Sequence, residues 1–406
     1  MPELPDELVE EVFLRLPPDE PAALVRASLA SKPWRGVLTG PAFRGRYREF
    51  HGAPPMLGFL YVRPIGFDHD EDDSAPLFIS TTKCNVRVLR FTEPAHQCLD
   101  AWDCRHGRVL LLTENLDCPD VLVVWDPMTG CTRELYGYWA GINAHSFGVA
   151  VLCAVSGCDH RACHAAPFKV VYVSVANSEE EDEWVALART SSPDMGDWSK
   201  PSKLHSGEWN RPCLGLHLAA GAFIWPMPAV LVNDALHFLL AYSNIDDDRV
   251  GILKYSLSSD SLSLIDAPLA ESVVFHDPIL MAVKDGTLGF AHVDSRLTLC
   301  VWSRHIGSDG VVSWTHHSVV DLNNLLPIED PEERPRLIGS VEGGDILFVN
   351  IDLGVYEIHL MTLEWKEHLT TLEWKERLKE ENLNALIPYM SSYNPLERVI
   401  PGDAAH

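Results

Sequence analysis

Four turn signals in the second half of the chain, Asn233-Asp234, Ser259-Asp260, Asp285-Gly286 and Asp309-Gly310, set their aspartates 26, 25 and 24 residues apart. Between them lie short apolar runs: "ALHFLLAYS", "GILKYSL", "TLGFAHV", "LTLCVWS" and "VVSWTHHSVV". Each run has the length of a strand and is rich in branched and aromatic side chains, and the bounding residues suit tight turns. Two intervals make a unit of about 50 residues with about four strands. One such unit cannot bury its own faces, so it must stack on its neighbours. Nothing else in the sequence narrows the fold as much.

A unit of that length and strand number is the pattern of a propeller blade, kelch-like in size. Further units read around "RVLLLTENLDCPDVLVVWDPMTGCTREL", "FKVVYVSVANSEEEDEWVALARTSS" and "RLIGSVEGGDILFVNIDLGVYEIHLMTLEW". The count is six, with seven as the alternative. A two-sheet sandwich array is the competing architecture, because strand spacing does not show ring closure.

Residues 1–50 follow a different period. Pro5 suits a first helical position, Asp6 and Glu7 suit the positive end of a helix dipole, and Leu8, Val12, Phe13 and Leu16 recur at spacings of three and four. Pro17-Pro18 stops that helix. Asp19 can cap a second, with the stripe Leu24, Val25, Ser28 and Leu29, and a third piece runs from Trp34 through Val37, Leu38, Phe43 and Tyr47. A helical unit of ~40 residues is below the length that usually folds unaided, which points to a partner covering its apolar face.

The stretch "LPDELVEEVFLRLPPDEPAALVRASLASKPWRGVL" resembles an F-box through Leu4-Pro5, Leu8, Val12, Leu16-Pro17, Leu24, Ser28 and the step Lys32-Pro33-Trp34-Arg35. Pro33 inside that step and Ala30-Ser31, where Val-Cys is frequent, depart from the pattern. The phrase "VWDPMTG" from Val124 to Gly130 and "LIPYMSSYNP" near the C-terminus resemble plant F-box-associated β-propeller domains. The resemblance implies a plant-type F-box protein with an F-box helical module at residues 1–50 and an all-β propeller at 51–406, the latter carrying a duplicated segment at 362–378. It further implies docking on a Skp1-type adaptor through Leu4, Pro5, Leu8, Val12, Phe13, Leu16, Pro17, Leu24, Ser28 and Trp34. The expected role is that of a non-catalytic substrate receptor in an SCF (Skp1-cullin-F-box) ubiquitin ligase, the propeller choosing a protein client for ubiquitination. The alternatives are a sugar-processing propeller enzyme and an adaptor-bound scaffold with no degraded client. The client itself leaves no transferable motif.

Charge and composition limit the partners. The chain carries 32 Lys and Arg against 58 Asp and Glu, a net charge of -26. Residues 1–50 hold seven basic and eight acidic residues, so -25 lies beyond them. Nucleic acid is not expected, since phosphate binding needs clustered Lys and Arg. A membrane is not expected either, as no run approaches the ~20 apolar residues a span requires and the N-terminus is acidic where a secretory signal is basic. Ten cysteines spread over 406 residues read as reduced thiols. The expected compartment is cytoplasm, nucleus or both.

No catalytic residue, cofactor or metal is expected. "CAVSGCDHRACH" offers Cys153, Cys158, His160, Cys163 and His164, but their spacing lacks the paired pattern of a tetrahedral zinc site. Asp68 to Asp73 opens like a calcium loop, yet has Asp73 where the turn needs Gly and Ile79 where a bidentate Glu belongs. The acidic runs Glu179 to Glu183 and Asp246 to Asp248 read as exposed loops. "GSDGVVSW", from Gly307, has the wrong spacing for a sialidase Asp-box and reads as a hairpin at Asp309-Gly310. Near the C-terminus "TLEWKEHL" at Thr362 recurs nine residues on as "TLEWKERL" at Thr371. An odd offset reverses the strand faces, so one copy is expected to leave the sheet.

Overall fold

The computed structural model describes residues 5–18, 20–52, 54–62, 78–80, 99–113, 121–127, 131–136, 144–155, 158, 167–178, 183–191, 202–204, 215–242, 249–268, 277–307, 311–328, 334–351, 354–368 and 385–391. Four helices come first: α1 (Asp6–Leu14), α2 (Pro21–Ala30), α3 (Lys32–Thr39) and α4 (Pro41–His51). The third helical piece expected as one is two, divided at Gly40, whose extended backbone (φ -64°, ψ 137°) precedes a helix opened by Pro41. α4 ends on Gly52 at φ 76°, where a side chain would be strained.

The helices do close a small core, contrary to the expectation that they could not. Val9, Phe13, Leu14, Leu24, Leu38, Phe43 and Tyr47 are buried together. Phe13 meets Trp34 and Phe43 edge-on at 5.5 and 6.5 Å. The Tyr47 hydroxyl donates to the Leu16 carbonyl at 2.8 Å, and Arg46 pairs with Glu10 at 2.9 Å and Glu11 at 3.1 Å. The fourth helix makes this possible, since Phe43 and Tyr47 lie on it and cap the interior.

From residue 56 onward the described elements are strands with one short helix. β1 (Met56–Val62) pairs with β2 (Phe78–Ser80). β3 (Leu99–Arg105), β4 (Arg108–Thr113), β5 (Val121–Asp126) and β6 (Cys131–Tyr136) form the first blade as an antiparallel meander. β7 (Ala144–Cys153), β8 (Phe168–Ser178) and β9 (Glu183–Ser191) form the second. β10 (Ser202–Leu204) returns to pair parallel with β6, and β11 (Leu216–Leu218) pairs with β9.

β12 (Ala222–Ile224), β13 (Val230–Val232), β14 (Ala235–Tyr242), β15 (Val250–Ser256) and β16 (Ser261–Asp266) build the third blade, in which β12 and β13 share β14. The fourth contains β17 (Ile279–Ala282), β18 (Leu288–Val293), β19 (Thr298–Ile306) and β20 (Val312–Asp321), followed by α5 (Leu322–Leu325). The fifth contains β21 (Arg336–Ser340), β22 (Ile346–Ile351), β23 (Gly354–His359) and β24 (Trp365–His368). Last, β25 (Ala385–Met390) returns to pair antiparallel with β1.

The arrangement is a β-propeller with five blades of four or five strands, where the sequence led to six or seven. A three-stranded sheet in the order β2-β1-β25 stands between the fifth blade and the first and closes the ring. Counting equal units along the chain overestimates the blades because the two ends of the β region share this closing sheet rather than making one blade each. A sandwich array is excluded by the packing, in which six apolar clusters join consecutive sheets all the way round. Leu60 with Leu111 and Ile387 joins the closing sheet to the first blade, and Leu110 with Val170 joins the first to the second. Val173 with Phe238, Ile252 with Phe290, and Val301 with Val349 join the next three pairs. Phe59 with Phe348 completes the circle.

The turn spacing has a structural meaning. Asn233 (φ 53°) turns β13 into β14, Asp260 (φ 47°) turns β15 into β16, and Gly286 (φ 80°) turns β17 into β18. The interval of about 25 residues therefore alternates between the inner and outer hairpins of successive blades. Asp309-Gly310 lies outside the described residues, between β19 and β20, whose register continues through Ile306 and Val312.

Candidate functional site

Among the described residues, two places combine exposure with chemistry: one face of the helical module and a cavity at the centre of the ring. On the helices, the apolar stripe read from the sequence divides. Phe13, Leu24 and Ser28 turn inward at 5, 3 and 8% exposure, while Leu8 and Val12 stand out at 52 and 59%. Leu8 and Val12 are four apart, one turn of the same helix face. Pro5, Pro17 and Trp34 are exposed as well, Leu16 is half-buried, and Leu4 lies outside the described residues. Leu29 and Phe50, which the docking set did not include, add exposed apolar surface at 79 and 58%. A protein this size exposes single apolar residues routinely, and the concentration of several on one small module makes it a candidate docking surface.

The second place is a cavity of about 760 Å³. It is walled by the end of β3 and its turn, the β12–β13 connection, β17, the β21–β22 hairpin and β25, with Gly52 and Pro54 of the segment leading from α4 at its edge. Most of the wall is apolar, including Met227, Leu231, Ile279, Leu280, Val341 and Ile387. Gly339 is there because any Cβ would run into the Leu386 carbonyl of the closing sheet.

Charge enters the cavity through three residues. Arg105 is almost fully buried and ion-pairs with the equally buried Asp103, donates to the Ala229 carbonyl, and reaches Glu342 with its Nε 3.2 Å from Oε2. Asp103 also accepts the Val151 amide at 2.7 Å. Burial pushes the Asp103 carboxyl up to about 6, with Arg105 and the Val151 amide pulling the other way. Burial works against the Arg105 charge, yet Asp103 and Glu342 hold it above its ordinary value. Burial also raises the Cys104 thiol, and the neighbouring Asp103 charge adds to this, both favouring the protonated form. Glu342 differs from the other two, its side chain being 41% exposed. Sequence reading missed this trio because Arg105 and Glu342 are 237 positions apart. The available signal was three charged residues, Asp100, Asp103 and Arg105, inside the strand "LDAWDCR".

The metal candidates do not come together within what is described. Cys153 ends β7 opposite Phe168 and Cys158 is half-buried, both as free thiols, while His160, Cys163 and His164 lie outside the described residues. Among the described residues no three His, Cys, Asp or Glu side chains gather as metal ligands. Asp68 to Asp73, the acidic positions 179–182 and Asp246 to Asp248 also lie outside them, while Glu183 opens β9. Of the duplicated segment, Trp365 to His368 forms β24 against β23, and the second copy from Thr371 lies outside. Among the described residues no helix is long and apolar enough to cross a membrane.

The family described as F-box domain matches residues 1–44. No curated protein matches the chain. Among solved structures, similarity is remote. A prolyl endopeptidase aligns with a TM-score of 0.33 and 12% identity over 65% of this chain and 35% of its own. An extracellular domain from B. thetaiotaomicron aligns at 0.39 and 9% over 77% and 37%, and prolyl oligopeptidase B from Galerina marginata at 0.30 and 12% over 66% and 36%. The chain thus spans little more than a third of these proteins, and likenesses so distant say nothing of its activity.

Proposed function

We propose that the chain, which carries an F-box domain at residues 1–44 followed by a β-propeller, is a substrate-receptor subunit of an SCF ubiquitin ligase. In this reading residues 1–50 dock on a Skp1-type adaptor and residues 51–406 hold a protein client, in the cytoplasm or nucleus. The observation that carries it is the exposure of Leu8 and Val12 at 52 and 59% on a module whose own core is already closed. Apolar side chains that the module does not need for itself are available to fill a partner's groove, each worth ~1.5–3 kcal/mol when fully buried. Pro5, Pro17 and Trp34 add exposed surface to that module and Leu4 belongs to the same docking set by sequence, while Phe13, Leu24 and Ser28 are buried and Leu16 is half-buried. Transfer chemistry belongs to other subunits; this chain contributes proximity, which turns a bimolecular encounter into a tethered one. The plant-type, kelch-like relationship is part of the same proposal and rests on "VWDPMTG" and "LIPYMSSYNP".

The test is co-purification of the full chain with a Skp1-type adaptor and a cullin. Stoichiometric recovery of the adaptor supports the reading; an adaptor that does not bind at micromolar concentration overturns it.

A further inference from the structure

We infer that the cavity at the centre of the ring is the client site, and that it takes a short peptide segment bearing a Lys or Arg side chain, whose cation pairs with Glu342. This rests on the receptor reading above and names the class of client. A cavity of about 760 Å³ lies in the range of binding pockets and exceeds the needs of packing. Its apolar wall suits the methylene stem of a long basic side chain, which buries its carbons and keeps its charge at a polar site.

The charge balance selects the sign. Two carboxylates, Asp103 and Glu342, face one guanidinium, that of Arg105. Arg105 and Asp103 are buried and satisfy each other, with the Ala229 carbonyl and the Val151 amide as further partners. That buried pair ties the first blade to the second and third, which accounts for it structurally. Glu342 is the surplus charge. It comes from the fifth blade, is 41% exposed, and among the described lining residues leaves the site one negative charge in excess. A cation arriving from solvent meets Glu342 first. The -25 carried beyond residue 50 favours the same sign of client at longer range.

The experiment uses the purified full chain and three randomised nonapeptide pools, identical except for Lys, norleucine or Glu fixed at the centre. Retention of each pool is measured by mass spectrometry. The Lys pool is expected to be retained about tenfold over norleucine, and the Glu pool below both. Glu342→Gln should bring the Lys-to-norleucine ratio close to one. Gly344→Leu, at a position where the atoms nearest to a Cβ belong to Val341 at ordinary distances of 3.4–3.5 Å, should fill the cavity and reduce retention of all pools. Equal retention of the Lys and norleucine pools by the natural chain overturns the inference, as does a ratio that Glu342→Gln leaves unchanged. Adaptor binding, measured on the same samples, separates the two readings. A Lys preference without adaptor binding keeps the cavity assignment and removes the ligase role, and adaptor binding without a Lys preference does the reverse.

Discussion

Phe59 on β1 and Phe348 on β22 meet edge-on, ring centroids 4.8 Å apart at 87°, with neither side chain exposed. They join the closing sheet to the fifth blade, near the place where the last strand, β25, pairs with the first. A ring has no free sheet face only if this junction holds, so its cost should be felt by the whole propeller rather than locally.

Phe348→Ala should therefore lower unfolding stability by ~3–5 kcal/mol, as truncation of a buried aromatic does. Urea unfolding followed by tryptophan fluorescence checks it. A loss below ~1 kcal/mol would show that the cluster around Phe59 does not close the ring.

Gly339→Ala addresses the same junction from the cavity side. Its new methyl would press on the Leu386 backbone, which cannot swing aside as a side chain could. The expected cost is ~1–3 kcal/mol. Unchanged melting of this variant would mean that β21 and β25 are less closely apposed.

Leu8→Asp and Val12→Asp should each weaken adaptor binding by at least about 30-fold, because a carboxylate without a partner in a desolvated groove costs upward of ~2 kcal/mol. Since both side chains are more than half exposed in the free chain, melting should change little. Phe13→Ala should instead destabilise the helices themselves, as Phe13 is 5% exposed. Calorimetric titration with the adaptor, beside thermal melts, separates docking from folding. Full adaptor affinity in both Asp variants contradicts the docking face.

His237, on β14 and 4% exposed, gives a pH dependence. Burial pushes its pKa down to about 4, while the Val230 carbonyl 3.4 Å away acts in the opposite sense. The unfolded state then binds the proton more readily. The neutral ring's full contribution is present above the ordinary histidine value near 6.5 and is lost as pH falls from there toward 4, with a ceiling of ~3 kcal/mol. Asp103 has the opposite sign: its raised pKa, about 6, favours the protonated folded state and lowers stability as pH rises from about 4 to 6. His237→Gln removes only the first dependence. Urea midpoints at pH 7 and pH 4.5 should fall further in the natural chain than in the variant; equal falls would show that His237 is not held neutral.

Local order in the chain was readable because it depends on neighbours in sequence. The proline stops, the three-and-four spacing of Leu8, Val12, Phe13 and Leu16, and the turn residues Asn233, Asp260 and Gly286 determined where helices and strands begin and end. These are constraints of backbone sterics and side-chain period. Even so, the periodicity placed Leu8, Phe13 and Leu24 on common stripes without saying which would face a partner and which the module's own core. That division awaited Phe43 and Tyr47 on the unexpected fourth helix.

What only the tertiary structure decided was closure and the site it creates. Nothing near Met56 in the sequence announces a partner at Met390, yet pairing β1 with β25 merges the ends of the β region into one sheet and reduces the full blades to five. The same closure brings Arg105 to Glu342 across 237 positions. Sequence spacing carries turn and period information over a few residues, whereas the register of distant strands is selected by burial of whole faces, and the charges they bring together become neighbours only once the ring is shut.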